Sequence, residues 1–217
     1  MTMLPNRRSD LAGVDAVAAG DTWSALNFTS WTVTPGTTAD LVTAVSSTQV
    51  DIAAKSANTP AAATRLGGDA TAPEIAAGKR VQIHFKCTNL GTRAAGILVG
   101  IWASGAAHGL AGPFESASNQ EWQHTTNGGV FVSAAVAGIE AVVYTAEVDV
   151  DGRLCRWSAV WLNSSNQVIN TDSGEMDVDP AATVYLAAMV RHGTNLGPGA
   201  VAYGYEGKYL VTDLVPA

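Results

Sequence analysis

One long hairpin, from Glu140 to Asn170, constrains the fold of this chain more than any other stretch. Asp151-Gly152 is the two-residue signal of a type I′ turn, in which both central residues take positive φ angles. Closing the chain at this turn brings apolar residues together on one face, in the pairs Val148 with Cys155, Ala146 with Trp157, Tyr144 with Ala159, and Val142 with Trp161. The sequence therefore predicts an antiparallel hairpin with one buried face.

The other face of the hairpin carries polar residues. It pairs Glu147 with Arg156 and Thr145 with Ser158, a charge pair and a hydroxyl pair that are typical of a solvated antiparallel surface. A slip of one residue would exchange the two faces, so the register is well specified. The acidic residues near the turn thus have a structural explanation, and we expect any function to lie in the loops and edges around the hairpin.

The composition favours a single β domain. Only 14% of the 217 residues are charged and 47% are hydrophobic, and many glycine, alanine, serine and threonine residues separate short apolar runs. This profile is typical of short strands joined by turns rather than of long helices. We therefore predict an N-terminal arm or short helix over residues 1–22 and one β-sandwich domain over residues 23–217.

The charge and hydropathy of the chain argue against two classes of partner. A formal net charge of −7 argues against binding to nucleic acids, because phosphate contacts require a basic surface. No apolar stretch reaches the roughly 18 residues that span a membrane, and the first residues lack the apolar core of a secretory signal. We expect a protein that binds neither nucleic acid nor membrane.

Strand patterns continue through most of the chain. Val81 to Thr88 alternates between apolar and polar residues, whereas Ile97 to Trp102 is apolar on both faces, as in a central strand covered on two sides. Three segments rich in glycine and small residues predict irregular connections, of which the first holds at most one edge strand. These segments are residues 56–80, 103–129 and 193–207. No repeat of about 20 to 50 residues occurs, which excludes propellers and solenoids.

The order of these elements resembles a known fold. The chain has an aromatic first strand region from Trp23 to Thr34, then the VQIHFKC strand, the long VVYTAEVDVDGRLCRWSAVWLN hairpin and a closing GKYLVTDL strand. This order is similar to that of the concanavalin A-like (lectin/laminin-G) jelly roll. The resemblance covers residues 23–214 and implies an all-β, antiparallel β-sandwich. Folds of this type host lectins, glycoside hydrolases and bacteriophage virion proteins, so the fold alone leaves the function open.

An acidic strand near the C-terminus is a candidate for catalysis. In an extended strand Glu175, Asp177 and Asp179 project to one face, while the residues between them are apolar. The pattern is similar to the E-x-D-x-E strand of laminarinase-type glycoside hydrolases, which implies a nucleophile and an acid/base about 5 Å apart. Asp179 stands where that family has a glutamate, and Pro180 ends the strand at once. The alternative is an acidic strand end that faces solvent.

Neither the carboxylates nor the histidines have the spacing of a metal site. Asp149, Asp151 and Asp172, with the acidic strand, supply oxygen ligands of the kind that calcium prefers, but the loop pattern with a distal glutamate is absent. No His-x-x-x-His, Cys-x-x-Cys or Gly-x-Ser-x-Gly motif accompanies the four histidines, which are His84, His108, His124 and His192. We expect no metal and no cofactor.

The two cysteines, Cys87 and Cys155, fall on the apolar sides of predicted strands. They are too few for a disulfide framework. Two alternatives remain open, because sequence does not supply the geometry that a disulfide requires: buried free thiols, or one bond between strands.

Aromatic and polar residues in the predicted loops form the candidate ligand-binding site. Its members are Trp122, His124 and Asn127, near Phe114 and Asn119, and Tyr203 with Tyr205. Aromatic faces beside amide groups are typical of shallow sugar sites. The same residues are also suited to sealing the ends of the sandwich or to a subunit contact. Glycan contact and packing thus remain as alternatives.

Two classes of function are consistent with these observations. The first, which we favour, is a non-enzymatic structural or adhesive component of a bacteriophage particle, such as a head decoration, fibre or tail protein. Such a protein would assemble in the host cytoplasm, contact other virion proteins and copies of itself, and bind a cell-surface glycan. The alternative is a carbohydrate-active protein, either a lectin-like module or a degenerate laminarinase-type glycoside hydrolase.

Overall fold

A computed structural model describes most of the chain. The described residues are 22–34, 42–54, 62–89, 95–104, 107–115, 120–126, 130–135, 138–149, 151, 154–179, 181–192 and 199–214. The predicted N-terminal arm lies outside these residues up to position 21, and so does Gly152 of the predicted type I′ turn. In the part of the chain so described, no helix is long and apolar enough to cross a membrane.

Every regular element within the described residues is a β-strand. The strands are β1 (Ser24–Ala25), β2 (Val33–Thr34), β3 (Val42–Val45), β4 (Gln49–Ala54), β5 (Ala62–Gly67), β6 (Lys79–Asn89), β7 (Ala95–Ala103), β8 (His108–Glu115), β9 (Gln120–Thr126), β10 (Val130–Ala135), β11 (Ala141–Val148), β12 (Leu154–Leu162), β13 (Val168–Asp177), β14 (Val184–His192) and β15 (Gly199–Asp213).

These strands form two antiparallel sheets that pack face to face. The first sheet has the order β13-β12-β11-β6-β15-β4-β3, with β1 also paired to β15, and the second has the order β10-β9-β8-β7-β14-β5-β2. Successive strands alternate between the sheets from β4 to β7 and again from β13 to β15, and the two last strands insert between early ones. The fold is therefore an antiparallel jelly-roll sandwich of the concanavalin-like type, as the resemblance implied.

The predicted register of the long hairpin is confirmed. β11 pairs with β12 so that Val148 lies opposite Cys155 and Val142 lies opposite Trp161. The side chains of the predicted buried face are at most 3% exposed. The register is well specified because β11 has one paired strand on each side and packs its apolar face on the core.

On the other face of the hairpin Glu147 lies opposite Arg156, as predicted. The predicted charge pair between them is not formed, because Arg156 pairs with other carboxylates and Nε of Arg80 lies 4.0 Å from Oε1 of Glu147. The prediction that the other face of β11 is solvated was wrong, since Val143 is 4% and Thr145 7% exposed.

Two glycines let the indole ring of Trp157 fit into this core. A Cβ atom at Gly109, on the opposite sheet, would lie 2.6 Å from Cδ1 of Trp157, and one at Gly174, on the adjacent strand, would lie 2.8 Å from its Nε1. The ring of Tyr144 stacks on that of Trp157 with 6.0 Å between centroids, and its hydroxyl donates to the carbonyl oxygen of Gly109 at 2.7 Å. The hairpin and the opposite sheet therefore share one core.

The predictions of irregular structure were wrong in three places. The segment 103–129 contains β8 and β9, the segment 193–207 contributes the first half of β15, and β5 in the segment 56–80 pairs on both sides rather than at an edge. Glycines in these strands interrupt the apolar pattern but allow neighbouring chains to approach closely. A Cβ atom at Gly112, for example, would lie 2.3 Å from the carbonyl oxygen of Ile97.

The prediction of a central strand with two apolar faces is confirmed for β7. This strand lies between β8 and β14. Ile97 and Ile101 pack in the main core between the sheets, whereas Leu98 belongs to a separate buried cluster with Leu110 and Met189. The second sheet thus buries apolar residues on both of its faces.

Candidate functional site

The predicted ligand-binding residues are divided between the two sheets. Trp122 and His124 belong to β9 in the second sheet. Tyr203 and Tyr205 belong to β15 in the first sheet. Asn127 lies outside the described residues. The four described positions, two in β9 and two in β15, are on strands rather than in the loops where the sequence pattern placed them.

Tyr205 has a packing role. It is 5% exposed, and its ring stacks on that of Phe28 with 4.4 Å between centroids. Its hydroxyl donates to the carbonyl oxygen of Ser46 at 2.8 Å and accepts from the backbone N–H of Phe28 at 3.1 Å. Burial raises the pKa of this phenol, although the hydrogen bond from Phe28 opposes the rise. Of the two interpretations of Tyr205, packing is the one that fits these contacts.

The alternation predicted for the acidic strand is present. Glu175, Asp177 and Asp179 are exposed, while Met176 is 2% and Val178 5% exposed. However, β13 is the outermost strand of the first sheet and ends at residue 177, and Asp179 accepts a hydrogen bond from the backbone N–H of the second residue after it at 2.9 Å. The three carboxylates therefore lie along a solvent-facing sheet edge.

Arg156 holds two of the acidic groups that the sequence offered for metal binding or catalysis. Its Nη1 lies 2.7 Å from Oδ1 of Asp149, and its Nε lies 3.2 Å from Oε1 of Glu175. Among the described residues no group of three or more histidine, cysteine, aspartate and glutamate side chains is arranged to hold a metal ion. The carboxylates of Asp149 and Glu175 therefore form ion pairs with Arg156.

Both cysteines are free thiols in the structure. Cys155 is fully buried, and burial, together with the nearby charge of Asp149, raises the pKa of its thiol to about 12. A thiol with such a pKa stays protonated at neutral pH and is a poor nucleophile. Of the two alternatives for the cysteines, the structure contains the free thiols.

A different group of residues surrounds a cavity of about 310 Å³ at the side of the sandwich, which we call the side pocket. Its lining residues are Ala25, Asn27, Ser30, Trp31, Thr71, Pro73 and Tyr209. They come from three segments that are remote in sequence, namely the stretch between β1 and β2, the loop after β5, and β15. None of these described side chains is charged.

The chain builds this pocket where it crosses from one sheet to the other. β1 pairs with β15, so that Ser24 lies opposite Tyr209, and β2 pairs with β5 in the other sheet. Between them, the backbone N–H of Leu26 donates to the carbonyl oxygen of Gly207 at 2.8 Å. A Cβ atom at Gly207 would lie 2.9 Å from Cδ2 of Leu26, so glycine is needed for this close approach. The crossing segment therefore closes one side of the pocket.

Two aromatic rings contribute apolar surface to the side pocket. The indole of Trp31 packs on Phe28 with 4.8 Å between ring centroids and covers Gly67, whose positive φ of 67° requires glycine. Trp31 is only 7% exposed, so it forms the floor. Tyr209 is half-buried, and its ring stacks on no other aromatic ring of the described chain. The side chain of Tyr209 also packs partly against the main core, and its exposed part contributes aromatic surface to the pocket.

Asn27 is the most constrained polar group of the pocket. Its Oδ1 accepts hydrogen bonds from the backbone N–H of Thr29, at 3.0 Å, and from the hydroxyl of Thr29. This is an Asx turn, which fixes the plane of the amide. The Nδ2 group of Asn27 and the hydroxyls of Ser30 and Tyr209 have no hydrogen-bond partner among the described residues. These groups are available to a ligand.

The opposite wall is held by a second Asx turn, which is built on Asp69. Asp69 Oδ1 accepts hydrogen bonds from the backbone N–H of Thr71 at 2.9 Å and from its hydroxyl at 2.5 Å. Thr71 Oγ1 in turn accepts from the backbone N–H of Thr32 at 2.7 Å, which ties this wall to the crossing segment. Burial opposes ionisation of Asp69, but the hydrogen bonds from Thr71 and Thr32 and the charge of Arg65 lower its pKa below the ordinary value.

Sequence reasoning missed this pocket because its members looked like parts of other elements. The stretch from Trp23 to Thr34 was predicted as one strand region, whereas only four of its residues, in β1 and β2, are in strands. The Asn-x-Thr of residues 27–29 and the Asp-x-Thr of residues 69–71 are turn signals that mark both walls. Nothing in the sequence indicates that these two turns meet beside Tyr209.

No family model matches this chain, and the comparison with curated proteins found no match. Similar solved structures include a functionally unknown protein from Saccharomyces cerevisiae, with 12% identity over 88% of this chain and 100% of that chain and a TM-score of 0.49. The CBM2 module of the evolved Dit of Lactobacillus casei BL23 phage J-1 has 9% identity over 91% and 99%, with a TM-score of 0.49. A lectin from Bauhinia forficata in complex with GalNAc has 10% identity over 90% and 100%, with a TM-score of 0.48. This likeness concerns the fold alone.

Proposed function

We propose that this protein is a non-enzymatic carbohydrate-binding protein and that the side pocket holds the sugar. The observation that supports the proposal is a cavity of about 310 Å³ that combines an accessible tyrosine ring with free amide and hydroxyl groups. A sugar ring presents apolar C–H faces together with hydroxyl groups, so it needs both kinds of surface. The volume lies at the small end of the roughly 300–1,000 Å³ found for small-molecule sites, which suits a single sugar unit.

The lining of the pocket favours binding rather than hydrolysis. Cleavage of a glycosidic bond requires two carboxyl groups that flank the bond, and none of the lining residues that the structure describes carries one. Glu175, the first residue of the glycosidase-like strand, is instead exposed and paired with Arg156 at 3.2 Å. Hydrolysis of a β-glucan by the wild-type protein, abolished in Glu175→Gln, would replace this proposal by the glycosidase alternative.

Binding to an immobilised glycan panel tests the proposal. Tyr209→Ala removes the accessible ring and should weaken binding about fivefold to tenfold, since aromatic stacking contributes about 1–1.5 kcal/mol. Val211→Ala is the matched control, because Val211 lies two residues further along β15, is 36% exposed and does not line the pocket. Equal binding by the two variants, or no binding of any glycan by the wild type, would contradict the proposal.

The finer part of the proposal is that the protein acts as an adhesive component of a bacteriophage particle, where it assembles with itself and with other virion proteins. It is supported by the sequence pattern, a β-rich chain with few charges that resembles the jelly rolls of virion proteins. Purification of particles from the native source should recover this chain with them. A protein that sediments as a monomer and never accompanies particles would contradict this part and leave the sugar pocket untouched.

A further inference from the structure

The free hydrogen-bonding groups of the side pocket are mostly donors. Oδ1 of Asn27 already accepts two hydrogen bonds from Thr29, so both of its lone pairs are used. Its Nδ2 group therefore faces a ligand with two N–H donors in a plane that the turn has fixed. Ser30, which is exposed, adds a hydroxyl on the same segment. A ligand that fits must offer oxygen acceptors to this side of the pocket.

The hydroxyl of Thr71, on the opposite wall, already uses most of its hydrogen-bonding capacity within the protein. Its hydroxyl proton goes to Asp69, at 2.5 Å, and its oxygen accepts from the backbone N–H of Thr32 at 2.7 Å. The hydroxyls of Thr71 and Thr32 also lie 3.2 Å apart, within hydrogen-bonding distance. The wall is therefore a closed hydrogen-bond network that shapes the pocket rather than binding the ligand.

Asp69 places a negative charge directly behind this wall. Its carboxylate is one hydrogen bond away from the lining residue Thr71, and its lowered pKa keeps it ionised at neutral pH. Among the described residues that line the pocket there is no lysine, arginine or histidine to balance a second negative charge. A ligand carboxylate would lose part of its hydration and face the charge of Asp69, which costs free energy in a partly buried site. Arg65, whose charge acts on Asp69, is not among the described lining residues and so does not contact the ligand.

We propose that the side pocket binds a neutral pyranose unit and excludes uronic and sialic acid units. This rests on the proposed function, in which the ligand is a sugar. The amide of Asn27 donates to hydroxyl oxygens of the sugar, the ring of Tyr209 packs on its apolar face, and the charge of Asp69 disfavours a carboxylate. Selectivity for charge therefore comes from a residue that does not touch the ligand.

Matched glycosides test the charge selectivity with the full chain. The probes are methyl glucoside against methyl glucuronide, and methyl galactoside against methyl galacturonide, measured by calorimetry or by saturation-transfer NMR. Within each pair the neutral glycoside that binds should do so about tenfold tighter than its uronide. Asp69→Asn keeps an oxygen acceptor for Thr71 and should raise uronide affinity about threefold to tenfold, with little change for the neutral partner.

A second isosteric variant tests the donor role of Asn27. Asn27→Asp keeps the acceptor of the Asx turn but removes both N–H donors, so neutral-sugar affinity should fall about tenfold or more with an unchanged melting temperature. Uronides that bind as tightly as neutral glycosides, or an Asp69→Asn variant with unaltered uronide affinity, would overturn the charge selectivity alone. A wild-type protein that binds neither these glycosides nor the glycan panel would instead overturn the proposed function.

Discussion

The inner face of the β11–β12 hairpin and the side pocket both use aromatic rings, yet the two regions are built differently. In the hairpin, Trp157 is 3% exposed and packs between Gly109 and Gly174, with no space for a ligand. In the pocket, Tyr209 is half-buried and borders a cavity of about 310 Å³. A ring that fills its surroundings stabilises the fold, whereas a ring that leaves one face accessible can bind.

The polar groups of the two regions differ in the same way. Around the hairpin Arg156 is paired with Asp149 and Glu175, so both of these carboxylates have an ion-pair partner. In the pocket the turn of Asn27 uses only the acceptor of the amide and leaves its donors free. The contrast teaches that residue type alone does not locate a site, because the difference lies in which atoms remain unbonded after folding.

Trp157→Ala should have the largest effect on stability. Truncating this buried indole should lower the free energy of unfolding by about 3–5 kcal/mol, as for other large aromatic residues in cores. Chemical denaturation measures the change, and Val168→Ala, at a side chain that is 60% exposed, is the control with a change within about 0.5 kcal/mol. A loss below about 1 kcal/mol for Trp157→Ala would show that the hairpin is not the core of the sandwich.

Gly109→Ala probes the same core from the opposite sheet. The new Cβ atom would lie 2.6 Å from Cδ1 of Trp157, so we expect a loss of about 2–3 kcal/mol from overpacking. Gly138→Ala is the control, since a Cβ atom there meets nothing within 4 Å and only the positive φ of 85° disfavours alanine. That variant should lose about 1 kcal/mol. If denaturation experiments gave equal losses for the two variants, the contact with Trp157 would make no contribution to the loss of stability.

The buried thiol of Cys155 should make stability depend on pH under alkaline conditions. Its pKa is about 12 in the folded protein, well above the 9.0 of an ordinary cysteine thiol, so the unfolded chain releases the proton first. The stabilisation is complete below pH 9.0 and is lost as the pH rises toward about 12, by at most about 1.4 kcal/mol per pH unit. Denaturation between pH 9 and about pH 10 should show a shallower slope of stability against pH for Cys155→Ala, since the tyrosines, whose ordinary pKa is about 10, are present in both proteins. Parallel slopes would refute the assignment.

Asn27→Ala should have the smallest effect on stability. The variant loses the exposed hydrogen bonds of one turn, so the free energy of unfolding should fall by only about 0.5–1.5 kcal/mol. Affinity for a bound sugar should fall about tenfold or more in the same variant, because the amide donors are gone. Loss of stability as large as that of Trp157→Ala would place the turn in the core and remove the distinction between the two regions.

Alternation of apolar residues was sufficient to predict the hairpin, its register and the sandwich. The period-two pattern of Val81, Ile83 and Phe85 identified the central strand β6 in the same way, and all three are buried. Where glycine interrupts the alternation the prediction failed, as for β8 and β9 in residues 103–129. The close approach that glycine permits depends on a neighbouring strand, which a local pattern does not contain.

The side pocket could not be predicted from local sequence patterns. Its two turns were readable as Asn-x-Thr and Asp-x-Thr, but they are about forty residues apart, and Tyr209 is far from both. They meet because β1 pairs with β15 in one sheet while β2 pairs with β5 in the other. Periodicity along a strand reports which face is buried, whereas a cavity between segments depends on how the chain crosses between the sheets, and only the folded chain decides that.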